Sequence, residues 1–225
     1  MAGEPESLHI HEPLKARVER HDYDRLLMLS DGVFAIAITL LALELRLPEH
    51  WDGSVETLMG TTGRPLIGYL FGFGLVGAFW FIHRRLFARL EQVDRVVTLL
   101  NLLLLGLVGL TPYVARMIAE AGPSRAMPFY LVSFAGVLAT FALIRIWAAV
   151  TPRLLHSGVD RREWNTETIS TAIGAIALGA LGTWAVAEHQ SIGSQLLFGV
   201  IIAVVAGRKV MKSWRGGQMS STNRP

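Results

Sequence analysis

Seven polar side chains fall where three apolar segments of the chain are expected to meet at one end: Arg25, Ser30, Asp31, Trp80, His83, Asp94 and Asn101. A polar or ionised group is costly in hydrocarbon unless it is paired or hydrogen-bonded, so we expect these side chains to contact one another. A structural clasp is the favoured interpretation. The alternatives are a proton relay or pH sensor at His83, whose imidazole titrates near neutral pH, and a metal site.

A row of aliphatic side chains follows shortly after Asp31. Its members have the i, i+4, i+7, i+11 spacing of one helix stripe, with a threonine at the edge: Ile36, Leu40, Leu43 and Leu47, beside Thr39. Such a stripe either anchors the helix in lipid or, if copies of the helix surround a symmetry axis, forms an apolar constriction. The spacing alone leaves both interpretations open.

Glu44 lies at the far end of this stripe. Its carboxylate would either attract cations to the mouth of a constriction or pair with Arg46 or Arg116. We slightly favour the ion pair over a role in attracting cations.

Long apolar segments are the elements that must position these residues. At a rise of 1.5 Å per residue, the helix predicted from Leu26 to Leu47 spans roughly 30 Å, one hydrocarbon thickness. Five further segments have the same character: roughly 65–86, 93–119, 127–150, 168–187 and 192–210. The predicted fold class is therefore all-α, a polytopic membrane protein with six transmembrane helices.

Small and charged residues inside these segments give further expectations. Gly68 and Gly72 in the second segment have the spacing that permits close helix contact, and glycines of the fifth and sixth segments should do the same. Arg145 lies near the end of the fourth segment, where its guanidinium would snorkel to the interface.

The composition agrees with a membrane protein. Hydrophobic residues make up 52% of the 225 residues and charged residues 17%, against about 25% charged in soluble domains. The absence of cysteine excludes disulfides and thiolate metal sites. A sequence pI near 9.6 arises from basic residues at helix ends, which favours anionic membrane lipid over nucleic acid as a partner.

The arrangement of charge also predicts orientation and domains. Most of the 21 Lys and Arg residues lie on the side that holds both termini, which by the positive-inside rule is the cytoplasm. We expect a cytoplasmic tail at 1–24, a membrane domain at 25–212, and a disordered cytoplasmic tail at 213–225. The polar N-terminal stretch lacks the apolar core of a signal peptide, which agrees with a cytosolic tail. The expected location is the plasma membrane.

The sequence has no motif of a hydrolase, zinc protease or nucleotide-binding enzyme. His156, Asp160 and Glu163 lie in a polar stretch that we interpret as a solvated loop. We therefore expect neither an enzyme nor a cofactor. Two non-enzymatic alternatives remain: a proton-coupled cation carrier using Asp31, His83 and Asp94, and a membrane scaffold.

Arg25, Ser30, Asp31 and the following GVFAIAITLLALEL resemble the first-helix signature R-x-x-x-F-S-D of the transmembrane protein 175 family, whose prokaryotic members belong to an endolysosomal potassium channel family. Leu29 stands where the signature has Phe. Further matches at Trp80, His83, Asn101 and Pro112 extend the resemblance over at least the first three helices.

The resemblance implies roles for individual residues. The signature residues would be scaffold that holds helix 1 against helices 2 and 3: Arg25, Leu29, Ser30 and Asp31. Helix 1 of each subunit would line the central pore of a homotetramer, with Ile36, Leu40 and Leu43 as the hydrophobic constriction and Thr39 as a hydroxyl ring. The implied function is passive conduction of potassium, modestly preferred over sodium, and hydrophobic constrictions can gate by dewetting.

Overall fold

The structure is a computed structural model that describes residues 14–45, 47–48 and 51–187. Within these ranges the chain folds into six α-helices and one 3₁₀ turn: α1 Leu14–Ala42, α2 Val55–Phe87, α3 Arg95–Gly109, α4 Thr111–Ala121, α5 Pro123–Val150, the turn Pro152–Leu154, and α6 Arg161–Ala187. The same ranges contain no β-strand, only an isolated bridge between Leu90 and Leu155. The all-α prediction is confirmed.

Five segments of the described chain are long and apolar enough to cross a membrane: Arg20–Ala42, Pro65–Phe87, Arg95–Ile118, Ser124–Val150 and Arg161–Ala187. They correspond to the first five predicted helices. The sixth, at 192–210, lies outside the described residues, as do the C-terminal tail and most of the N-terminal tail. Arginines at the ends of these spans mark one side, called here the arginine-rich boundary: Arg84, Arg85, Arg89, Arg95 and Arg153.

Helix α1 ends at Ala42, earlier than predicted. Leu43 and Glu44 form a turn in which their backbone N–H groups bond to the carbonyls of Leu40 and Leu41, at 3.1 and 3.3 Å. Leu47 therefore does not belong to the helical stripe, and its prediction as part of that stripe is wrong. Pro48 follows Leu47, and a proline disfavours helical backbone at the residue before it.

Helix α2 begins at Val55, ten residues before the predicted start of the second apolar segment at 65. Ser54 caps it, because its Oγ accepts a hydrogen bond from the Thr57 backbone N–H at 3.2 Å. Pro65 is therefore an internal helix residue and not the first turn.

The third predicted helix is two helices that meet at Leu110. The backbone N–H of Leu110 bonds to Leu107 O at 3.2 Å, which tightens the end of α3. Pro112 stands in the first turn of α4, where its missing N–H is tolerated although it would break a continuous helix. The break divides one membrane span between two helices.

Helix α5 lies at the centre of the packing, in contact with α3, α4 and α6, whereas α1 packs mainly on α2 and α3. Glycine permits two close approaches. A Cβ on Gly182 would lie 2.9 Å from both Leu131 Cβ and Val132 Cγ2 of α5, and one on Gly72 would lie 3.0 Å from Leu41 Cδ2 of α1. The predicted glycine contacts of the second and fifth segments are present, while those at 199 and 207 lie outside the described residues.

Candidate functional site

Helix α1 has two faces of different character. Its buried face is a helical row directed at α2 and α3: Leu26, Ser30, Phe34, Ala37 and Leu41. On its other face, large aliphatic side chains are left without cover from the rest of the described chain. Ile36 is 58% exposed, Leu40 is 42% exposed and Leu43 is 71% exposed. The three residues predicted as a constriction thus share the uncovered side, although Leu43 lies in the turn after the helix.

Asn101 of α3 connects α1 and α2 through its amide. The Asn101 Nδ2 donates to Ser30 Oγ at 2.9 Å, and its Oδ1 lies 2.9 Å from His83 Nε2. Ser30 Oγ in turn donates to the carbonyl of Leu26 at 2.8 Å. Because an amide oxygen only accepts, Nε2 of His83 carries the proton in this contact. Ser30, His83 and Asn101, called here the Asn101 network, are all buried.

Aromatic rings enclose His83. Phe87 stacks on the imidazole with ring centres 4.2 Å apart, and Phe34 of α1 lies tilted against it at 5.4 Å. The imidazole is therefore held by one amide and two apolar rings. Neither Asp31 nor Asp94 is hydrogen-bonded to it among the described contacts.

Asp31 and Trp80 form a separate contact next to the Asn101 network. Trp80 Nε1 donates to Asp31 Oδ1 at 2.8 Å, and the guanidinium carbon of Arg84 lies 5.6 Å from the centre of the Trp80 ring. Asp31 is exposed, so its carboxylate remains in reach of solvent or headgroups. This contact joins α1 to α2 on the side of the arginine-rich boundary.

Asp94 lies apart from both contacts. Its Oδ1 accepts the Val97 backbone N–H at 2.9 Å and so caps α3, while its Oδ2 accepts from Trp147 Nε1 of α5 at 3.0 Å. Trp147 was not predicted as a site residue. The only signal for it was an indole N–H near the end of an apolar segment, which must find an acceptor when buried.

The two remaining signature positions line a cleft. Arg25 and Leu29 face a cavity of about 980 Å³ between α1 and the start of α3, together with Asp94. Leu29, which replaces the aromatic residue of the signature, is 49% exposed there. The cleft opens at the arginine-rich boundary.

At the opposite end of α1, Glu44 Oε2 lies 4.0 Å from Arg116 Nε of α4, while the same nitrogen is 2.7 Å from Glu120 Oε1. The predicted pairing of Glu44 with Arg116 is therefore present as a long contact. Arg46 lies outside the described residues. Thr39 Oγ1 donates to the backbone carbonyl of Ile36 at 2.9 Å, which leaves the lone pairs of its oxygen unused by that bond.

A second polar cluster was missed by the sequence analysis. Arg145 is buried, contrary to the prediction that it snorkels: its Nη1 lies 2.8 Å from Glu167 Oε2, and its guanidinium carbon lies 5.1 Å from the centre of the Trp164 ring. Arg89 bonds to the same carboxylate at 2.8 Å and to Glu163 at 3.2 Å. These residues are called here the ionic cluster: Arg89, Arg145, Glu163 and Glu167.

The ionic cluster exists because α6 begins at Arg161, seven residues before the predicted helix at 168–187. Glu163 and Glu167 are therefore one helical turn apart on one face, not parts of a solvated loop. Within the described ranges, the ionic cluster included, no three His, Cys, Asp or Glu side chains are grouped as a metal site requires.

The sequence of this chain is similar to those of known proteins. The family model for the endosomal/lysosomal potassium channel TMEM175 matches residues 25–112. A potassium channel of Chamaesiphon minutus is 31% identical over 180 residues, which cover 74% of this chain and 88% of that protein. A potassium channel of Streptomyces collinus is 36% identical over 156 residues, covering 65% of this chain and 74% of that protein.

A vertebrate relative and a solved structure are also similar. The mouse endosomal/lysosomal proton channel TMEM175 is 31% identical over 180 residues, and the match covers 76% of this chain but only 33% of that protein. The crystal structure of a lysosomal potassium-selective channel TMEM175 homologue from Chamaesiphon minutus aligns with a TM-score of 0.65 at 25% identity, covering 84% of this chain and 98% of that one.

Proposed function

This chain belongs to the TMEM175 family of endosomal/lysosomal potassium channels, and from that premise we propose that it conducts potassium passively through a central pore lined by α1 of four identical copies. The family consists of multi-pass membrane channels and not of enzymes, and no cofactor is required. The bacterial relatives are named potassium channels. We also propose the plasma membrane as its location, with both termini in the cytoplasm.

One observation carries this proposal: the contrast between the two faces of α1. One face is fixed to α2 and α3 through the Asn101 network, while the other presents Ile36, Leu40 and Leu43 to no part of the described chain. A single helix cannot enclose an ion path, so the uncovered face must meet copies of itself if it lines a pore. Four copies around one axis would turn each aliphatic side chain into a ring.

Such rings would select ions through dehydration. An aliphatic ring offers a cation no ligand, so an ion that passes it must give up part of its water, and potassium does so more readily than sodium. The resulting preference is modest, and an apolar constriction can also close by dewetting. Thr39 would provide the polar step between rings, because its hydroxyl proton is engaged by Ile36 O and its oxygen can face a cation.

Glu44 has a smaller role in this proposal. Its carboxylate would attract cations to the outer mouth of the pore, but Arg116 at 4.0 Å offsets part of its charge. We expect it to alter the rate of entry and not the preference between ions.

The carrier alternative has less support from the described contacts. His83, Asp31 and Asp94 each bond to a different partner, respectively Asn101, Trp80 and Trp147. Since the mouse relative is named a proton channel, proton passage is best measured alongside potassium.

The test is ion flux in proteoliposomes under potassium, sodium and proton gradients. Ile36→Asn should change the potassium rate or the potassium to sodium preference, because it replaces one ring by amides. Ile176→Asn is the matched control: Ile176 is an exposed isoleucine at similar depth in α6. If both variants alter flux equally, α1 is not the pore helix. Flux that strictly requires an opposing proton gradient would establish the carrier.

The absence of cysteine permits a second test of the pore and of the number of copies. Ile36→Cys in every copy should become sensitive to a water-soluble thiol reagent or to cadmium, and mild oxidation should link copies into dimers, since four thiols would face one axis. Ile176→Cys should show neither effect. A monomer by light scattering, or unlinked Ile36→Cys protein with full flux, would overturn the proposal.

A further inference from the structure

The cleft between α1 and α3 combines three arginines with an apolar wall. Arg25, Arg95 and Arg153 line its volume of about 980 Å³, and so do Leu29 and Leu99. The arginines come from three parts of the chain: α1, the first residue of α3, and the 3₁₀ turn after α5. Helix packing thus brings together cations that are far apart in sequence.

Its position relative to the membrane separates the two kinds of lining. Arg95 begins the span Arg95–Ile118, and Arg153 follows the span that ends at Val150. Both guanidinium groups therefore belong to the level of lipid headgroups. Leu29 and Leu99 lie further along their helices, inside the spans, and Leu99 is 66% exposed.

The acidic residues of the cleft offset only part of the positive charge of the arginines. Asp94 accepts hydrogen bonds from Val97 N and Trp147 Nε1, so its two oxygens are engaged by the protein. Asp22 is the other carboxylate in the lining. Three arginines against two aspartates leave a net positive charge at the headgroup level.

We propose that this cleft binds an anionic phospholipid, with its phosphate among Arg25, Arg95 and Arg153 and an acyl chain along Leu29 and Leu99. A ligand with both an anionic head and an apolar tail satisfies the whole lining, whereas free phosphate would leave the apolar wall unused. Basic pockets between helices at a membrane surface bind such headgroups. This proposal does not depend on what the protein conducts.

The test is native mass spectrometry of the purified full chain, titrated with phosphatidylglycerol or with phosphatidylcholine of identical acyl chains. Phosphatidylglycerol should bind more tightly, and Arg95→Gln and Arg153→Gln should each weaken it by roughly fivefold. Arg162→Gln is the matched control, an exposed arginine at the start of α6 and outside the cleft. Asp22→Asn should strengthen binding, because it removes the competing carboxylate.

Each contrary result would overturn the proposal in a different way. Equal binding of the two phospholipids would show that the arginines do not recognise the anionic headgroup. Equal losses in Arg95→Gln, Arg153→Gln and Arg162→Gln would indicate surface charge without a site. Competition by glycerol 3-phosphate as strong as that by phosphatidylglycerol would identify a free-phosphate site that makes no use of the apolar wall. Circular dichroism of each variant checks that the helices are intact.

Discussion

The Asn101 network and the ionic cluster both join helices through buried polar contacts, but they use different chemistry. In the Asn101 network, the amide of Asn101 meets one hydroxyl and one imidazole, from Ser30 and His83. In the ionic cluster, Arg89 and Arg145 share the carboxylate of Glu167.

Desolvation explains the division. A hydroxyl or amide with its hydrogen bonds made is tolerated in an apolar interior, whereas an ion pair loses more hydration than it recovers unless its geometry is favourable. Glu163 and Glu167 accordingly keep side-chain exposures of 48% and 30%, and the buried Arg145 rests against Trp164. The uncharged contacts support α1, and the charged contacts attach α6 to α5 and to the turn that follows α2.

The largest effect should come from removing the shared carboxylate. Glu167→Gln leaves Arg145 buried without its counter-charge, so we expect the free energy of unfolding to fall by about 4 kcal/mol. Glu163→Gln, which breaks only a half-exposed pair, should cost no more than about 1 kcal/mol. The measurement is unfolding of the purified protein in mixed detergent and SDS. Equal losses in the two variants would mean that the buried pair of Arg145 and Glu167 contributes no more to stability than the half-exposed pair of Arg89 and Glu163.

A smaller loss is expected from the Asn101 network. Asn101→Leu leaves both Ser30 and His83 without the amide partner, which we expect to cost about 3 kcal/mol in the same unfolding measurement. Ser30→Ala should add little once Asn101 is gone, because the two side chains share one hydrogen bond.

A double-mutant cycle tests whether the two regions are independent. Asn101→Leu and Glu167→Gln share no partner, so their losses should add. A large interaction energy between them would show that the network and the cluster form one unit, and the comparison drawn above would fail.

The smallest effect concerns the far end of the α5–α6 contact. In Gly182→Ala the new methyl group would lie 2.9 Å from Leu131 and Val132 and 3.0 Å from Pro128 O, which we expect to cost about 2 kcal/mol of unfolding free energy. Gly179→Ala meets only Ala135 Cβ, at 3.5 Å, so it should be neutral or slightly stabilising. If Gly179→Ala is the more harmful of the two, the packing of α6 differs from that described.

The contacts of the Asn101 network could be predicted from the sequence, whereas those of the ionic cluster could not. Ser30, His83 and Asn101 were predicted to meet because each is a polar residue within an apolar segment, where a partner is obligatory. Arg89 and Glu167 stand 78 residues apart, and charged residues near helix ends have the alternative of solvent. Nothing in the pattern therefore required them to pair, and Arg145 was assigned to the interface for the same reason.

The predicted helix boundaries were wrong for related reasons. Apolar runs mark the central part of a membrane helix. Helix α2 begins ten residues before its apolar run, and the first turn of α6 is made of charged and polar residues. The break at Leu110 depended on Pro112, which was noticed in the sequence without being assigned its effect on the helix. The family match to residues 25–112 includes the whole Asn101 network but leaves out α5 and α6, which hold most of the ionic cluster.

The part of α1 that follows Asp31 also has a consequence for the response to voltage. Between Asp31 and Glu44 the chain carries no formal charge. The electrical work of moving a segment through the membrane potential is proportional to the charge that it carries, at about 2.3 kcal/mol per elementary charge and 100 mV. Displacement of this segment therefore transfers no gating charge, so in the proposed pore it would change the width without acting as a voltage sensor.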